Sequence, residues 1–432
     1  MQVRIRHGNN TNKYFLLLWI AAYRIMLDVV YTMHLSTEFG YAGFTTKYLL
    51  DRYFISWILI IFAMPVIRTC IRKTAFSDTI VLFLIYLSYI PFTTMVAFFS
   101  LSWQYILANS IYWANLFLAY RFRLVIRGNF TFPTFHNHIA IYAIEALFGI
   151  TIAFISWRYT GFRFTVSLKN VYLMRSDENL RNIPLLLSYI FSASKATMPV
   201  LLTYSLKTKN KLNALIIVFL QIMSYSINGS KLVLFSTLLA VGGFYLYNVK
   251  YLAKVPMFLS GLCVLSYLET AVFHRVFILA YFIRRVFFVP NQLNYYYFQF
   301  FSSNKPDYYR QSFLRFLGFK SEYSDIDHLI GEQFFGRANM GANNGLFSDA
   351  ITNMGIVGVF VLPIILILLL RFLDFCAKDI DKHIYISTSV IFSFIFISSF
   401  LPTVLLTHGL LMLCLVLVVL PREEKKRRRH HT

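Results

Sequence analysis

Residues 347–370, FSDAITNMGIVGVFVLPIILILLL, form an apolar run whose single charged residue, Asp349, lies near its start. As a helix, a run of this length reaches across the roughly 30 Å of hydrocarbon in a bilayer. Lipid offers no hydrogen-bond partner to backbone N–H and C=O groups, so a segment that crosses it must be helical. The stretch therefore predicts a transmembrane helix.

The same pattern recurs along the 432-residue chain, in which 58% of residues are hydrophobic and 14% are charged. The mean hydropathy of +0.59 exceeds what a soluble domain needs to build a core. The sequence predicts an all-α, polytopic membrane bundle of about twelve transmembrane helices. The other predicted spans lie near 14–34, 53–67, 78–99, 103–120, 138–157, 183–205, 212–228, 232–248, 252–271, 384–400 and 403–420.

The net charge of +22 comes from Lys and Arg in alternate connections between these spans. Cytoplasmic connections of membrane proteins are enriched in basic residues, so the pattern predicts that both termini are cytoplasmic. No basic soluble domain or RNA-binding motif is present, which argues against nucleic acid as a partner. The expected partners in this respect are membrane lipids, which the basic tail would contact.

This topology divides the chain into four parts. Residues 1–272 hold nine predicted helices, 347–420 hold three more, and 421–432 form the basic cytoplasmic tail. Between helices 9 and 10, residues 273–346 form one large polar segment, predicted to be an external, periplasmic loop. A membrane protein that concentrates its charges and aromatic residues in one loop is expected to carry its chemistry there.

Three basic clusters face outward in this topology and could converge on one anion. They are the connection that holds Arg175, the turn of residues 228–231 that ends in Lys231, and the long loop with Arg284, Arg285 and Arg337. Arg suits phosphate because its planar fork donates two parallel hydrogen bonds. The structural alternatives are a snorkelling interfacial Arg175 and a simple hairpin at Lys231.

The end of the long loop carries the strongest pattern, LIGEQFFGRANMGANNGLFSD over residues 329–349. Its glycines and asparagines give a backbone that a ligand can approach closely. Asp349 could act as a base or complement the start of its helix. His328 stands beside Asp325 and Asp327 and could be a base with an orienting carboxylate, or an exposed His without a role.

The aromatic run at residues 295–301 has two interpretations. It could dock in the belt of aromatic residues at the membrane interface, or it could stack on sugar rings through Tyr296. We favour the interfacial belt. The sequence shows no metal-binding motif, and its four cysteines lie in or beside predicted spans, so neither a metal nor a disulfide framework is expected.

The chain resembles the Wzy-type oligosaccharide repeat-unit polymerases and, more loosely, the O-antigen ligases. The resemblance covers most of the chain. It rests on the layout of spans, on Tyr172 and Arg175 in an outer loop, on the turn Gly229-Ser230-Lys231, and on Ala342-Asn343-Asn344-Gly345 before Asp349, Gly355 and Gly358. Two positions depart from the pattern. The turn often carries Arg where Lys231 stands, and ligases place a His where this chain has Asn343, which argues against ligase activity.

The resemblance implies a GT-C-like bundle in the bacterial cytoplasmic membrane and glycosyl transfer at its outer face, without cofactor or metal. The donor would be a glycan on polyprenyl pyrophosphate, the acceptor the terminal sugar of another lipid-linked unit, and a chain-length regulator a further partner. The expected catalytic residues are Asp349 and His328. The expected pyrophosphate ligands are Arg175, Lys231, Arg284, Arg285 and Arg337, and the expected glycan ligands are Tyr172, Tyr296, Asn343 and Asn344.

A flippase for lipid-linked oligosaccharides is the main alternative, since a carrier would place charges along a path through the bundle. Arg24, Asp28, Glu145 and Lys195 are the intramembrane charges that support it. The first two are four residues apart on one helix face, so a structural ion pair is the expected arrangement. Glu145 and Lys195 could pair with each other in the same way.

Overall fold

The computed structural model describes residues 11–122, 138–164 and 182–422 of the chain. These residues form helices joined by turns, and no strand occurs among them. The predicted all-α architecture is therefore confirmed for this part of the chain. The candidate residues Tyr172 and Arg175, and nearly all of the basic tail, lie outside the described residues.

The α-helices are numbered in chain order. They are α1 Thr11–Val30, α2 Ser36–Glu38, α3 Leu50–Lys73, α4 Phe76–Leu84, α5 Ile90–Phe98, α6 Trp103–Arg121, α7 His138–Thr160, α8 Leu185–Lys207, α9 Lys211–Asn228, α10 Lys231–Leu246, α11 Val249–Leu252, α12 Val255–Phe273, α13 Val289–Ser303, α14 Ile326–Phe335, α15 Phe347–Met354, α16 Gly358–Cys376, α17 Lys382–Ser398, α18 Leu401–Leu405 and α19 Leu410–Val419. Wider π-type turns at Tyr31–Leu35 and Ile85–Tyr89 join α1 to α2 and α4 to α5, and a third, Leu279–Phe288, precedes α13.

Nine helical segments of the described chain are long and apolar enough to cross a membrane. They are Tyr14–Glu38, Leu50–Lys73, Phe76–Phe98, His138–Thr160, Leu185–Lys207, Lys211–Asn228, Val255–Phe273, Phe347–Cys376 and Leu401–Val419. The other three predicted spans are helical as well: α10 and α17 are apolar but shorter, and α6 covers Trp103–Arg121. The fold indicates a multi-pass helical membrane protein.

The segment Phe76–Phe98 lies at the centre of the bundle, with 94% of its apolar window buried. It packs against α3 and α17. Tyr89 in this segment donates a hydrogen bond to the carbonyl of Leu59 over 2.7 Å, and its ring lies 5.1 Å from that of Trp113 on α6. A helix that is apolar on all sides needs such complete burial, so its neighbours define the core.

The predicted ion pair between Arg24 and Asp28 is present on α1. Arg24 is fully buried, and its guanidinium also donates to Thr93 Oγ1 over 2.9 Å and to Ser56 Oγ over 3.0 Å. A charged side chain inside a bilayer requires an ion-pair or hydrogen-bond partner of this kind. Glu145, by contrast, accepts hydrogen bonds from Asn213 on α9 at 3.0 and 3.2 Å, a partner that the sequence analysis did not anticipate.

Basic residues of several predicted cytoplasmic turns contact neighbouring helices. Arg371 on α16 donates to Ser77 Oγ on α4 over 2.9 Å and to the carbonyl of Tyr120 on α6 over 3.2 Å. Lys207 on α8 pairs with Asp381 at the start of α17. Arg371 thus links α16 to α4 and α6, and Lys207 links α8 to the start of α17.

The first part of the polar segment 273–346 packs into the bundle instead of extending from it. Helix α13 contacts α15, and the side chains of Tyr295, Tyr297, Phe300 and Phe301 are buried. Tyr295 lies 5.2 Å, ring to ring, from Tyr105 on α6. The interpretation of these four aromatic residues as an interfacial belt is therefore wrong, because they supply core contacts between helices.

Candidate functional site

A cavity of about 310 Å³ lies where the polar segment returns to the helix bundle. Its wall is rich in carboxylates and amides, with two aromatic rings. The lining residues are Tyr297, Asp307, Gln311, Ser312, Asp325, Ile326, Asp327, Asn343, Asn344, Asn353, Ser399, Phe400 and Thr403. Among the described residues, no Lys or Arg lines it, so the cavity is acidic.

One wall of the cavity is held by Asp307, which is almost completely buried. Its carboxylate accepts hydrogen bonds from the backbone N–H of Gln311 over 2.9 Å and from Ser321 Oγ over 2.5 Å. Its own N–H donates to the carbonyl of Thr352 on α15 over 2.7 Å. Asp307 therefore fixes the turn that carries Gln311 and Ser312 against the end of a membrane helix.

Another part of the wall is held by Asn344, which is buried. Its side-chain amide donates to Asn294 Oδ1 on α13 over 2.9 Å and to Ser348 Oγ on α15 over 2.8 Å. The next residue, Gly345, donates its N–H to the carbonyl of Ile397 over 2.9 Å. A Cβ at Gly345 would lie 2.1 Å from the carbonyl oxygen of Phe396, so only glycine fits this close approach.

An acidic cluster with one histidine stands at the start of α14. His328 Nδ1 lies 2.9 Å from Asp325 Oδ2 and 3.5 Å from Asp327 Oδ1. Burial, together with the adjacent Asp325, raises the pKa of Asp327 to about 6. The hydrogen bond from Asp327 and the neighbouring His328 lower the pKa of Asp325. The hydrogen bond to Asp325 raises the pKa of His328.

The arrangement can therefore do acid–base chemistry. Two carboxyl groups that share a hydrogen bond titrate as a pair, and one of them holds its proton to a higher pH than an isolated Asp does. Asp327 is the half-buried member with the raised pKa, and both acids line the cavity. A carboxylate whose pKa is raised to about 6 is still ionised at neutral pH and is a stronger base than an ordinary Asp, so it is suited to accept a proton from a bound hydroxyl.

The same three side chains also have a spacing that a metal ion could use. The donor atoms of Asp325, Asp327 and His328 lie within 4.8 Å of one another. Carboxylate oxygen and imidazole nitrogen are ligands of Mn²⁺ and Zn²⁺. The absence of a metal was expected from the sequence and stays a prediction.

Asp349 lies outside this cavity, although the sequence pattern singles it out. It is buried on α15, where its carboxylate accepts hydrogen bonds from the N–H of Leu401 over 2.5 Å and from Asn353 Nδ2 over 2.7 Å. It lines a separate void of about 10 Å³, together with Tyr112 and Ser399. These contacts join α15 to the start of α18.

The predicted pyrophosphate ligands do not line the cavity in the described part of the chain. Lys231 begins α10, and Arg285 and Arg337 are exposed. Arg284, in the π-type turn before α13, lies with its guanidinium carbon 4.4 Å from the centroid of the Phe39 ring. Its Nε is buried and has no hydrogen-bond partner among the described residues. Burial lowers the pKa of Arg284.

The predicted glycan ligands divide into two groups. Asn343 and Asn344 line the cavity, the first exposed and the second buried. Tyr296 instead stacks on Phe334, with ring centroids 4.5 Å apart and planes 7° apart, so it fastens α14 to α13. Its hydroxyl accepts a hydrogen bond from Gln292 over 3.0 Å.

The sequence analysis did not identify Tyr297, Asp307, Asn353 or Ser399 as site residues. Asp307 was one of several acids in the long segment, and Ser399 lies near the end of the predicted span 384–400. Their sequence context offered one indication: a polar residue within an apolar run, such as Asn353 or Ser399, needs a hydrogen-bond partner inside the protein.

A scan against protein-family models and searches of curated proteins and solved structures found no match to this chain. The fold and the site together define a multi-pass helical membrane protein with an acidic cavity at one end of its bundle.

Proposed function

We propose that this chain is a membrane glycosyltransferase that joins polyprenyl-pyrophosphate-linked oligosaccharide units at the outer face of the bacterial cytoplasmic membrane. The proposal includes twelve spans in a GT-C-like bundle and cytoplasmic termini. It is supported by the resemblance to the Wzy-type polymerases and by the cavity, whose wall includes the Asn343–Asn344 pair of the pattern that carries the resemblance.

The composition of the cavity wall carries the proposal. Carboxylates accept hydrogen bonds from hydroxyls, and carboxamides both donate and accept them, so the wall suits a ligand covered with hydroxyl groups. Tyr297 and Phe400 add aromatic surface at the same place. A volume of about 310 Å³ is within the range of pockets for small ligands. We assign the cavity to the acceptor sugar.

We assign the role of base to Asp327. Burial and Asp325 raise its pKa to about 6, and His328 acts in the opposite direction. The acceptor hydroxyl oxygen forms a bond to the anomeric carbon of the donor sugar while the bond from that carbon to the pyrophosphate oxygen breaks. The hydroxyl proton passes to Asp327, and the bonding electrons leave with the lipid pyrophosphate. Such a base contributes roughly 10²–10⁴-fold to the rate.

The leaving pyrophosphate would be bound outside the acidic wall, because carboxylates repel it. Fixed cations aimed at the growing negative charge are usually the largest catalytic contribution. Arg284 supports this part of the proposal, since its buried Nε–H is a hydrogen-bond donor with no acceptor among the described residues. Arg175, Lys231, Arg285 and Arg337 complete the proposed set, and the reaction needs no metal.

The test is complementation of a deletion strain, with the lipid-linked and surface glycans separated by size. Wild-type protein is expected to restore long polymer, and Asp327→Asn to leave single repeat units at the outer surface. Asp379→Asn, in the exposed turn after α16, is the control that removes the same charge from a residue that does not line the cavity. Failure to export any repeat unit in the deletion strain would indicate a flippase, and full-length polymer with Asp327→Asn would contradict the proposal.

A further inference from the structure

The turn that follows the cavity wall presents apolar side chains outward. We call residues 308–320 the aromatic–basic turn. Its exposed apolar residues are Tyr308, Phe313, Phe316, Leu317 and Phe319, each between 47% and 71% exposed. The cations Arg315 and Lys320 are exposed among them. Apolar residues at this density on a water-facing loop would carry a hydration cost, so their exposure indicates a surface that is covered.

This turn is attached to the end of α15, inside the candidate membrane span Phe347–Cys376. Asp307, which precedes it, is bonded through its N–H to the carbonyl of Thr352, and the N–H of Tyr309 donates to Asn353 Oδ1 over 3.0 Å. Three residues further along the candidate span Phe347–Cys376, the exposed apolar residues Ile356, Val357 and Phe360 begin. The turn is therefore joined, through α15, to the exposed apolar start of a span that is expected to face lipid.

The turn has a defined shape. Tyr308 and Tyr309 both have positive φ angles, 54° and 61°, and Gly318 closes the turn at φ 87°. Phe313 stacks on Tyr309 with ring centroids 5.2 Å apart, and the N–H of Phe319 donates to the carbonyl of Leu314 over 3.2 Å. Non-glycine residues adopt positive φ only at a cost, so the contacts of Tyr309 with Asn353 and Phe313 are needed to hold this backbone conformation.

We propose that the aromatic–basic turn inserts into the headgroup layer of the adjacent leaflet and binds anionic lipid. Phe316, Leu317 and Phe319 enter the boundary between headgroups and acyl chains, and Arg315 and Lys320 contact lipid phosphates. Aromatic and basic residues on one exposed segment have the chemistry of interfacial anchors, and basic residues near a surface of negative lipids are attracted to it.

This binding does not depend on the proposed enzymatic function. It has a consequence for the cavity all the same, because Gln311 and Ser312 of the turn line it. The lipid surface and the cavity wall are then linked through one short segment of chain.

The experiment uses full-length protein in nanodiscs, with a nitroxide label at Leu317→Cys and a matched label at Asn339→Cys on another exposed turn. The native cysteines are buried. Power-saturation electron paramagnetic resonance compares accessibility to oxygen, which concentrates in lipid, with accessibility to a water-soluble nickel chelate. The label at residue 317 is expected to favour oxygen by several-fold, and the label at residue 339 the chelate. Equal aqueous exposure of both labels would overturn the proposal.

Lipid charge provides the second arm. In phosphatidylglycerol nanodiscs the label at residue 317 is expected to lie deeper than in phosphatidylcholine, and the double variant Arg315→Gln/Lys320→Gln to remove that difference. The control double variant Arg121→Gln/Lys378→Gln removes the same charge from the opposite end of the helix bundle. It is expected to retain the difference in label depth between the two lipids. No dependence on lipid charge contradicts anionic-lipid binding. Dipolar broadening between labels would identify a second copy of the chain, and not lipid, as the partner.

Discussion

His328 Nδ1 lies 2.9 Å from Asp325 Oδ2, in a cluster where Asp327 is the second carboxylate. The exposed imidazole of His328 thus contacts the carboxyl group of Asp325, and that carboxyl group also shares a hydrogen bond with Asp327. The pKa of Asp327 is therefore set by burial and by these two neighbours, and each neighbour can be changed separately. This relationship gives the proposed acceptor site a pH dependence that can be measured.

His328→Gln is expected to shift the pH profile of transfer to higher pH. Activity of the wild-type protein should rise as pH increases through about 6, because Asp327 accepts a proton only when it is ionised. The positive His328 favours that ionised form, so its removal raises the pKa of Asp327 and moves the midpoint upward. The measurement is initial rate against pH; an unchanged midpoint would show that His328 does not act on Asp327.

Chelation distinguishes acid–base chemistry from metal chemistry at the same three residues. Excess EDTA is expected to leave the rate unchanged, because a base needs no ion. The control is addition of Mg²⁺ or Mn²⁺ after chelation, which should have no effect. A rate that falls with EDTA and recovers with Mn²⁺ would assign the cluster as a metal site, since its donor atoms already lie within 4.8 Å of one another.

Gly345→Ala is expected to destabilise the fold by about 1–3 kcal/mol, the usual cost of overpacking. The new methyl group would lie 2.1 Å from the carbonyl oxygen of Phe396. Gly242→Ala on α10 is the matched control, because a methyl group there meets nothing within 4 Å. Thermal unfolding in detergent measures both; equal melting temperatures would contradict the close approach.

Asp349→Asn is expected to lower stability and to leave transfer measurable in the folded fraction. Asn keeps one acceptor and loses the other, so one donor, either the N–H of Leu401 or Asn353 Nδ2, loses its partner at a cost of about 1–3 kcal/mol. Activity per folded molecule, with folding measured by size-exclusion chromatography, is the readout. A variant that is fully folded and inactive would indicate that Asp349, and not Asp327, is the base.

The helices could be predicted from the sequence because hydrophobic run length is a local property. The pair formed by Arg24 and Asp28 was predicted for the same reason, as its spacing is fixed by one helix turn. The cavity could not be predicted, since its wall joins residues as distant in sequence as Asp307 and Ser399. Nothing in either local pattern states that the two segments meet.

The burial of α13 illustrates the same limit. Tyr295, Tyr296 and Tyr297 are consecutive, and an aromatic run suits either a membrane interface or a protein core. The structure favours the protein core, because the ring of Tyr295 packs against the ring of Tyr105 on α6. Asp349 shows the converse: its position in a recognisable pattern indicated chemistry, whereas its two hydrogen bonds indicate a structural join.

The most direct measurement is single-turnover transfer by purified protein, with a polyprenyl-pyrophosphate-linked oligosaccharide as donor and acceptor. Asp327→Asn is expected to lower the rate roughly 10²–10⁴-fold, because it removes the general base, while Asp327→Glu is expected to retain part of the rate. Donor binding, measured separately, should be unchanged in both variants. A wild-type rate for folded Asp327→Asn would contradict the assignment of the acidic cavity as the acceptor site.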